Sequence, residues 1–324
     1  MLFETSPANQ GEHRCTLVAS DGTRLAYQIR PTSGRRRGVL VALHGLSSNM
    51  SRWAEFSAQT RLTRNWEIIR TDLRGHGQSL DWRPVDLGRW CRDLLSLLDT
   101  EGHQRAVLVG HCLGAAVAAE FARRHPDRVQ GLVLVEPLLP EALPARLQRY
   151  YRWRGLLRPL LAAAHAAYAV GLHRRRYRSV DLVALDRAAR ERMAQEGGAD
   201  VIRKSHGRPL DDMRRMPWAL YVEALLATVG LPGDRLAEIG APTLALLSNG
   251  SDLSDCQVTR RYLEAMPRCE VRVLDAHHWL PTERPDDVRI QIEAFCRGLE
   301  IEAGEPLEAA SADPEASPSQ RTRP

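Results

Sequence analysis

The sequence is short of lysine, of paired cysteines and of long apolar runs. Lys204 is the only lysine, so the formal net charge of +5 at pH 7 comes from an excess of arginine over acidic residues. Arginine keeps its charge in every environment and binds flat anions such as carboxylates and phosphates. The excess is explained either by codon usage in a GC-rich genome, which we prefer, or by an anionic substrate, carrier protein or lipid headgroup.

The six cysteines are scattered, with no C-x-x-C pair and no metal-ligand spacing, which predicts free thiols and no metal site. The N-terminal stretch lacks the apolar segment of a secretory signal. No run of about 18 apolar residues indicates a transmembrane helix. No basic and aromatic pattern typical of nucleic-acid binding modules occurs. We therefore expect a cytoplasmic protein that uses no cofactor and binds no nucleic acid.

Short apolar runs alternate with helical patterns between residues 36 and 137. RRRGVLVALHG (35–45) and RAVLVG (105–110) are typical of buried parallel strands, whereas residues 86–102 and 113–128 have helical periodicity. Repeated alternation of this kind predicts an α/β protein with a mostly parallel, doubly wound sheet.

The strand pattern then stops and returns only at APTLALLSNGSD. We predict a core formed by residues 14–137 and 241–300, interrupted by a helical cap insertion at 138–240. The segment 301–324 is rich in Pro, Ser, Ala and Glu, which predicts a disordered tail.

The stretch LVGHCLGAA has the pattern Gly-x-nucleophile-x-Gly between a predicted strand and a predicted helix. Gly110 and Gly114 allow the helix to leave close to the strand, and the turn between them lifts the side chain of Cys112 off the sheet edge. The backbone N–H of Leu113 would point at an oxyanion from the helix N-terminus. Cys112 is therefore a candidate nucleophile.

Four motifs together resemble the α/β-hydrolase fold superfamily. They are LHGLSS (43–48), RTDLRGHGQS (70–79), VGHCLG and HWLPTERP (278–285), and they occur in family order. The resemblance covers roughly residues 15–136 and 241–298. It implies an α/β-hydrolase fold with a helical cap, and a member that has G-H-C-L-G in place of the common G-H-S-x-G.

Carried over residue by residue, the resemblance implies a catalytic triad. Cys112 matches the nucleophile, His278 the general base and Asp252 the acid that fixes the imidazole tautomer. The oxyanion hole would consist of the backbone N–H groups of Leu46 and Leu113.

Three alternatives remain open at this point. Asp255 is the fallback acid, because the loop that carries Asp252 is one residue longer than usual. His277 is the alternative base. Glu136 ends the strand before the cap, where some members hold their acid, but we favour the interpretation that it is a strand-end carboxylate paired with the cap.

A cysteine nucleophile gives a thioester intermediate, which reacts with water and also with amines, thiols and alcohols. The resemblance therefore implies a hydrolase of the esterase or thioesterase type, acting on a small acyl ester or thioester, free or carrier-bound. The first alternative is an acyltransferase that delivers the acyl group to an amine or alcohol. The second is a non-catalytic, ligand-binding member of the fold.

Within the predicted cap, residues 150–178 have an apolar centre and basic, aromatic flanks. One interpretation is peripheral contact with an anionic membrane or a carrier protein. The other, which we favour, is a cap helix that packs over the site with its arginines in solvent. Arg174, Arg175 and Arg176 would then meet a phosphate-bearing carrier at the mouth.

Overall fold

An eight-stranded sheet forms the centre of the molecule. The computed structural model describes residues 11–172, 177, 180–196, 212 and 214–302. In chain order the strands are β1 (His13–Val18), β2 (Arg24–Arg30), β3 (Gly38–Leu43), β4 (Trp66–Thr71), β5 (Ala106–His111), β6 (Val129–Val135), β7 (Thr243–Ser248) and β8 (Cys269–Leu274). Their order across the sheet is β1-β2-β4-β3-β5-β6-β7-β8.

The sheet is parallel from β4 to β8, and β2 pairs antiparallel with both β1 and β4. Alternate side chains enter two separate cores, with Val39 and Val41 on one face and Leu40 on the other. Every residue of β5 is buried. Burial on both faces explains the unbroken apolar runs of the central strands. The predicted mostly parallel, doubly wound sheet is thus confirmed.

The helices cover both faces of the sheet and fill the insertion. They are α1 (Ala54–Gln59), α2 (Leu87–Thr100), α3 (Leu113–Arg124), α4 (Ala145–Arg152), α5 (Arg158–Ala169), α6 (Leu182–Glu196), α7 (Trp218–Thr228), α8 (Cys256–Glu264), α9 (Leu280–Glu283) and α10 (Pro285–Glu302). Helices α4 to α7 lie between β6 and β7, where the described residues form no strand. The boundaries of the cap stay a prediction, and the predicted tail lies, from residue 303 onwards, outside the described residues.

A buried arginine holds the loop that follows β4. The guanidinium of Arg74 donates to the carboxylates of Asp21, Asp81 and Asp93. Its carbonyl oxygen accepts a hydrogen bond from the indole of Trp90 on α2, at 3.1 Å. Because a buried charge is tolerated only when it is paired and hydrogen-bonded, this cluster fixes the loop against the first helical layer.

No helix in the part of the chain that the structure describes has the length and apolar character needed to cross a membrane.

Candidate active site

Cys112 occupies the strained turn between β5 and α3. Its backbone has φ +54° and ψ −110°, and its N–H donates to the carbonyl oxygen of Val135 at 2.9 Å. A Cβ on Gly110 would lie 2.2 Å from the carbonyl oxygen of Gly114, and a Cβ on Gly114 would lie 2.4 Å from that of Leu43. Both glycines are therefore required for the close passage of helix against sheet that the sequence pattern predicts.

His278 lies buried between β8 and α9, with its ring between an acid and a thiol. Its Nδ1 is 3.3 Å from Oε2 of Glu136, and the Cys112 thiol is near enough to contribute to the pKa of the ring. The flanking backbone is fixed by Glu283, whose carboxylate accepts the N–H groups of the residues on either side, at 2.8 and 3.1 Å. The ring is thus held at Nδ1, and the backbone is held on both sides of it.

The charges around His278 decide its protonation state. Burial alone would lower the pKa of this imidazole. The negative charge and hydrogen bond of Cys112, followed by those of Glu136, outweigh burial and raise the pKa to about 10. The site therefore favours the protonated form of the His278 imidazole.

Glu136 is the first residue after β6 and has φ +50°. Its N–H donates to the carbonyl oxygen of Leu246 at 2.9 Å, and its Oε1 accepts the N–H of Ser248 at the end of β7. The register of β5 and β6 places their last residues side by side, so Cys112 and Glu136 leave the sheet at the same level. The side-chain contacts of Glu136 thus lie in the sheet domain, and not with the cap as the favoured sequence interpretation has it.

The structure places Asp252 and Asp255, the predicted acid and its fallback, at exposed positions after β7. The chain there first follows the β8 side of the sheet, because Gly250 donates its N–H to the carbonyl oxygen of Ala276 at 3.0 Å. The Asp255 carboxylate accepts two backbone N–H groups at the start of α8. Glu136, rather than the predicted Asp252, therefore lies against the imidazole of His278.

The alternative base is turned away from the nucleophile. His277 is exposed, and its Nδ1 lies 3.2 Å from a carboxylate oxygen of Glu283. The geometry therefore favours His278 as the histidine of the site.

Leu113 and Leu46, the predicted oxyanion-hole residues, both lie close to Cys112 in the fold. Leu113 is the first residue of α3, so its N–H has no acceptor within the helix. Leu46 is half-buried and follows Gly45, where an added Cβ would lie 3.4 Å from Cβ of Cys112. The oxyanion hole of Leu46 and Leu113 stays a prediction.

Two further buried histidines frame the site as neutral rings. His44 accepts the N–H of Leu73 at Nε2, at 3.0 Å, and its Nδ1 lies 2.7 Å from the carbonyl oxygen of Gly45. His111 lies 3.1 Å through Nε2 from the carbonyl oxygen of His278. Burial, followed by neighbouring histidine charge, holds the pKa of both rings well below the usual range. Of these three rings, His278 is thus the one whose pKa is raised.

The cap is joined to the site by buried polar contacts. The guanidinium of Arg52, in the loop after β3, donates to Asp186 of α6 and to Thr282 of α9. The N–H of Leu182, at the start of α6, donates to the hydroxyl of Ser51 at 3.0 Å. The predicted basic residues 174–176 at the mouth lie outside the described residues.

Comparison with known proteins gives one family match and several shorter similarities. A family profile described as alpha/beta hydrolase fold matches residues 38–285. An uncharacterised protein of Mycobacterium tuberculosis is 37% identical over 120 residues, which cover 33% of this chain and 34% of that protein. A 2-hydroxy-6-oxononadienedioate/2-hydroxy-6-oxononatrienedioate hydrolase of Burkholderia vietnamiensis is 36% identical over 124 residues, covering 36% of this chain and 42% of that protein.

Among solved structures, the enol-lactonase from Burkholderia xenovorans is similar with a TM-score of 0.63 and 20% identity. The match covers 87% of this chain and all of the lactonase, and at this identity it shows the fold alone. The chain spans about a third of the length of the first curated relatives that it matches.

Proposed function

Because this chain belongs to the α/β-hydrolase fold family, we propose that it hydrolyses a carboxylic ester or thioester through an acyl intermediate on Cys112. The observation that carries the proposal is the buried row of thiol, imidazole and carboxylate formed by Cys112, His278 and Glu136. Glu136 takes the role that the sequence assigns to Asp252. The names of the similar hydrolase and enol-lactonase agree with hydrolytic chemistry.

In the first half-reaction the Cys112 thiolate attacks the carbonyl carbon of the substrate and forms a C–S bond. The oxyanion that results would be bound by the N–H groups of Leu46 and Leu113. The bond to the leaving group then breaks, and the alcohol or thiol takes its proton from the His278 imidazolium. The products of this step are the free leaving group and a thioester on Cys112.

In the second half-reaction neutral His278 removes a proton from water as the water oxygen attacks the thioester carbon. The C–S bond breaks, the carboxylic acid leaves and the thiolate–imidazolium pair is restored. Glu136 acts in both halves by holding Nδ1–H of His278, so that Nε2 faces the sulfur.

The experiment is detection of the acyl intermediate by mass spectrometry. The protein is mixed with p-nitrophenyl butyrate, quenched in acid and digested, and the peptide that contains Cys112 is expected to carry a butyryl group. Cys112→Ala should lose both the adduct and turnover. Cys15→Ala, which removes a half-buried free thiol of β1, is the matched control and should keep both.

The acceptor is identified in the same assay by adding a primary amine. Hydrolysis predicts butyrate as the product, whereas the alternative of acyl transfer predicts the butyramide. Turnover without an adduct, or full turnover in Cys112→Ala, would contradict the proposed nucleophile. Binding of the ester with neither adduct nor turnover would favour the non-catalytic alternative.

A further inference from the structure

Positive charge is concentrated in one segment of the chain. Residues 142–180 contain nine arginines, no lysine and no acidic residue. The whole chain carries only +5, so the remainder of the sequence is net negative. Five of these arginines lie on α4, on α5 or between them, at positions 146, 149, 152, 154 and 158. The molecule is thus electrically asymmetric, with the positive pole on this part of the cap.

The turn between α4 and α5 also exposes large apolar side chains. Every residue from 152 to 160 is exposed, and we call this segment the cap tip. Trp153 is 61% exposed, Leu156 is 70% exposed and Leu160 is 55% exposed. Clustered apolar surface of this kind on a soluble domain indicates an interaction site.

The cap tip is exposed although the helix that follows it is well packed. Leu161, Ala164 and Tyr168 of α5 are buried, at the i, i+3 and i+7 spacing of one helical face. The favoured sequence interpretation, a packed cap helix, therefore describes this inner face. Residues 152–160 lie outside that face, and no part of the described structure covers them.

The arginines of the cap tip are available to an external anion. Among the described residues, Arg152 and Arg158 form no ion pair, and Arg154 lies 4.1 Å from the ring centroid of Tyr151. Arg154 and Arg158 also line a cleft of about 710 Å³ that separates the cap from α2 and α3. Its opposite wall carries Arg92 together with the carboxylates of Asp86 and Glu120. Along the cap tip itself, arginines alternate with the exposed apolar side chains.

We propose that the cap tip is a peripheral docking surface for an anionic lipid bilayer, with Trp153 and Leu156 inserted at the interface and the arginines on phosphate headgroups. Exposed Trp and Leu beside Arg is the composition typical of interfacial membrane segments. The side chains of these nine exposed residues project from the cap, and the run forms no recess that could receive a side chain of a protein partner. A fluid bilayer accepts such a surface more readily than a shape-complementary acidic protein does.

The test is co-sedimentation of the full chain with vesicles. One vesicle population is pure phosphatidylcholine, and the other contains phosphatidylglycerol as a third of its lipid. We expect binding to the anionic vesicles only, weakened by high ionic strength. Each arginine near such a surface contributes roughly 1 kcal/mol, or about fivefold in affinity, so the triple variant Arg152→Gln, Arg154→Gln, Arg158→Gln should bind on the order of a hundredfold more weakly.

Two further variants separate the apolar contribution from charge. Trp153→Ser combined with Leu156→Ser keeps every charge and should also lose binding. Arg24→Gln combined with Arg64→Gln and Arg261→Gln removes the same charge from exposed positions of the sheet domain, and should bind as the parent protein does. All variants should hydrolyse a soluble ester equally well, so a failure of docking is distinct from a failure of the proposed function.

Four results would overturn the proposal. They are no binding to anionic vesicles, equal binding to pure phosphatidylcholine, unchanged binding in either cap-tip variant, and equal loss in the sheet-domain control. Self-association of the parent protein that the apolar variant abolishes, without vesicle binding, would instead assign the cap tip to a second copy of this chain.

Discussion

Replacement of Glu136 by glutamine tests the least expected member of the proposed triad. The change keeps the length of the side chain, so one amide atom can still accept the N–H of Ser248. The other atom becomes an NH₂ group that donates to Nδ1 of His278. Donation to Nδ1 favours the neutral tautomer with its proton on Nε2, so the nitrogen that should act as the base has no lone pair to accept a proton. Glu136→Gln therefore removes a counter-ion and also reverses the hydrogen bond that orients the base.

The size of the effect follows from the geometry. The atoms Nδ1 and Oε2 are 3.3 Å apart, and both side chains are at least nine-tenths buried. Opposite unit charges at this distance attract by roughly 5 kcal/mol at an effective dielectric constant of about 20. In deacylation His278 starts neutral and becomes charged only as it takes the proton from water, so loss of most of this attraction in that transition state corresponds to a decrease in kcat of roughly 10³- to 10⁴-fold. We expect KM for p-nitrophenyl butyrate to change far less, because Glu136 has no part in substrate binding.

Asp252→Asn is the matched control, since it makes the same change of carboxylate to amide at the acid that the sequence predicts. Its kcat should stay within about twofold of the parent value. Thermal unfolding of each variant checks that the fold is intact, and Glu136→Asp, which keeps the charge, should recover part of the lost kcat. The reasoning is refuted if Asp252→Asn is the impaired variant while folded Glu136→Gln turns over normally.

Four further predictions concern the pKa of His278 and the packing of the fold. Cys112→Ala should lower the pKa of His278 from about 10, because the thiolate that stabilises the imidazolium is lost; an unchanged imidazole titration by ¹⁵N NMR contradicts this. In the parent protein, charging of His278 stabilises the fold in full below the ordinary histidine pKa of about 6.5, and this stabilisation decreases as the pH rises and is lost by about 10. Gly110→Ala should destabilise the protein by about 3 kcal/mol in urea-induced unfolding. Gly298→Ala changes a glycine that lies in open space within a helix, and it should stabilise the protein by up to about 1 kcal/mol. Equal unfolding midpoints of the two variants would argue against the packing explanation. Arg74→Ala should lower the free energy of unfolding by about 3–5 kcal/mol, because it leaves buried carboxylates unpaired. A decrease of less than about 1 kcal/mol in the same urea assay would show that the cluster does not stabilise the fold.

The sequence predicts the sheet and the nucleophile because both depend on neighbours along the chain. The central strands are buried on both faces, so their apolar runs are unbroken and easily recognised. The turn at Cys112 needs a glycine two residues before it and another two residues after it, and the sequence has Gly110 and Gly114 at these positions. His278 is similarly marked by a local motif that includes Glu283, whose carboxylate holds the backbone on both sides of the histidine.

The acid could not be predicted in this way because it depends on how three strand ends meet. Asp252 and Glu136 each follow a strand that ends at the same edge of the sheet. The choice between them is made by the path of the chain after β7, where Gly250 bonds to the β8 side and leads the chain to an exposed turn. The longer side chain of Glu136, directly after β6, reaches the imidazole instead. Both carboxylates can be recognised in the sequence, but the path of the chain after β7 cannot.

Backbone strain supports the same site independently of side-chain chemistry. Among the described residues, the non-glycine residues with positive φ are Ser47, Cys112 and Glu136. They follow β3, β5 and β6, which are neighbours in the sheet. Glu136 also precedes Pro137, a position where extended backbone is strongly preferred. Each such residue costs about 1–3 kcal/mol and persists only where its surroundings hold it. Strain confined to one sheet edge, beside a buried imidazolium, is the arrangement expected where the fold positions a nucleophile, an oxyanion loop and an acid around one reacting carbonyl.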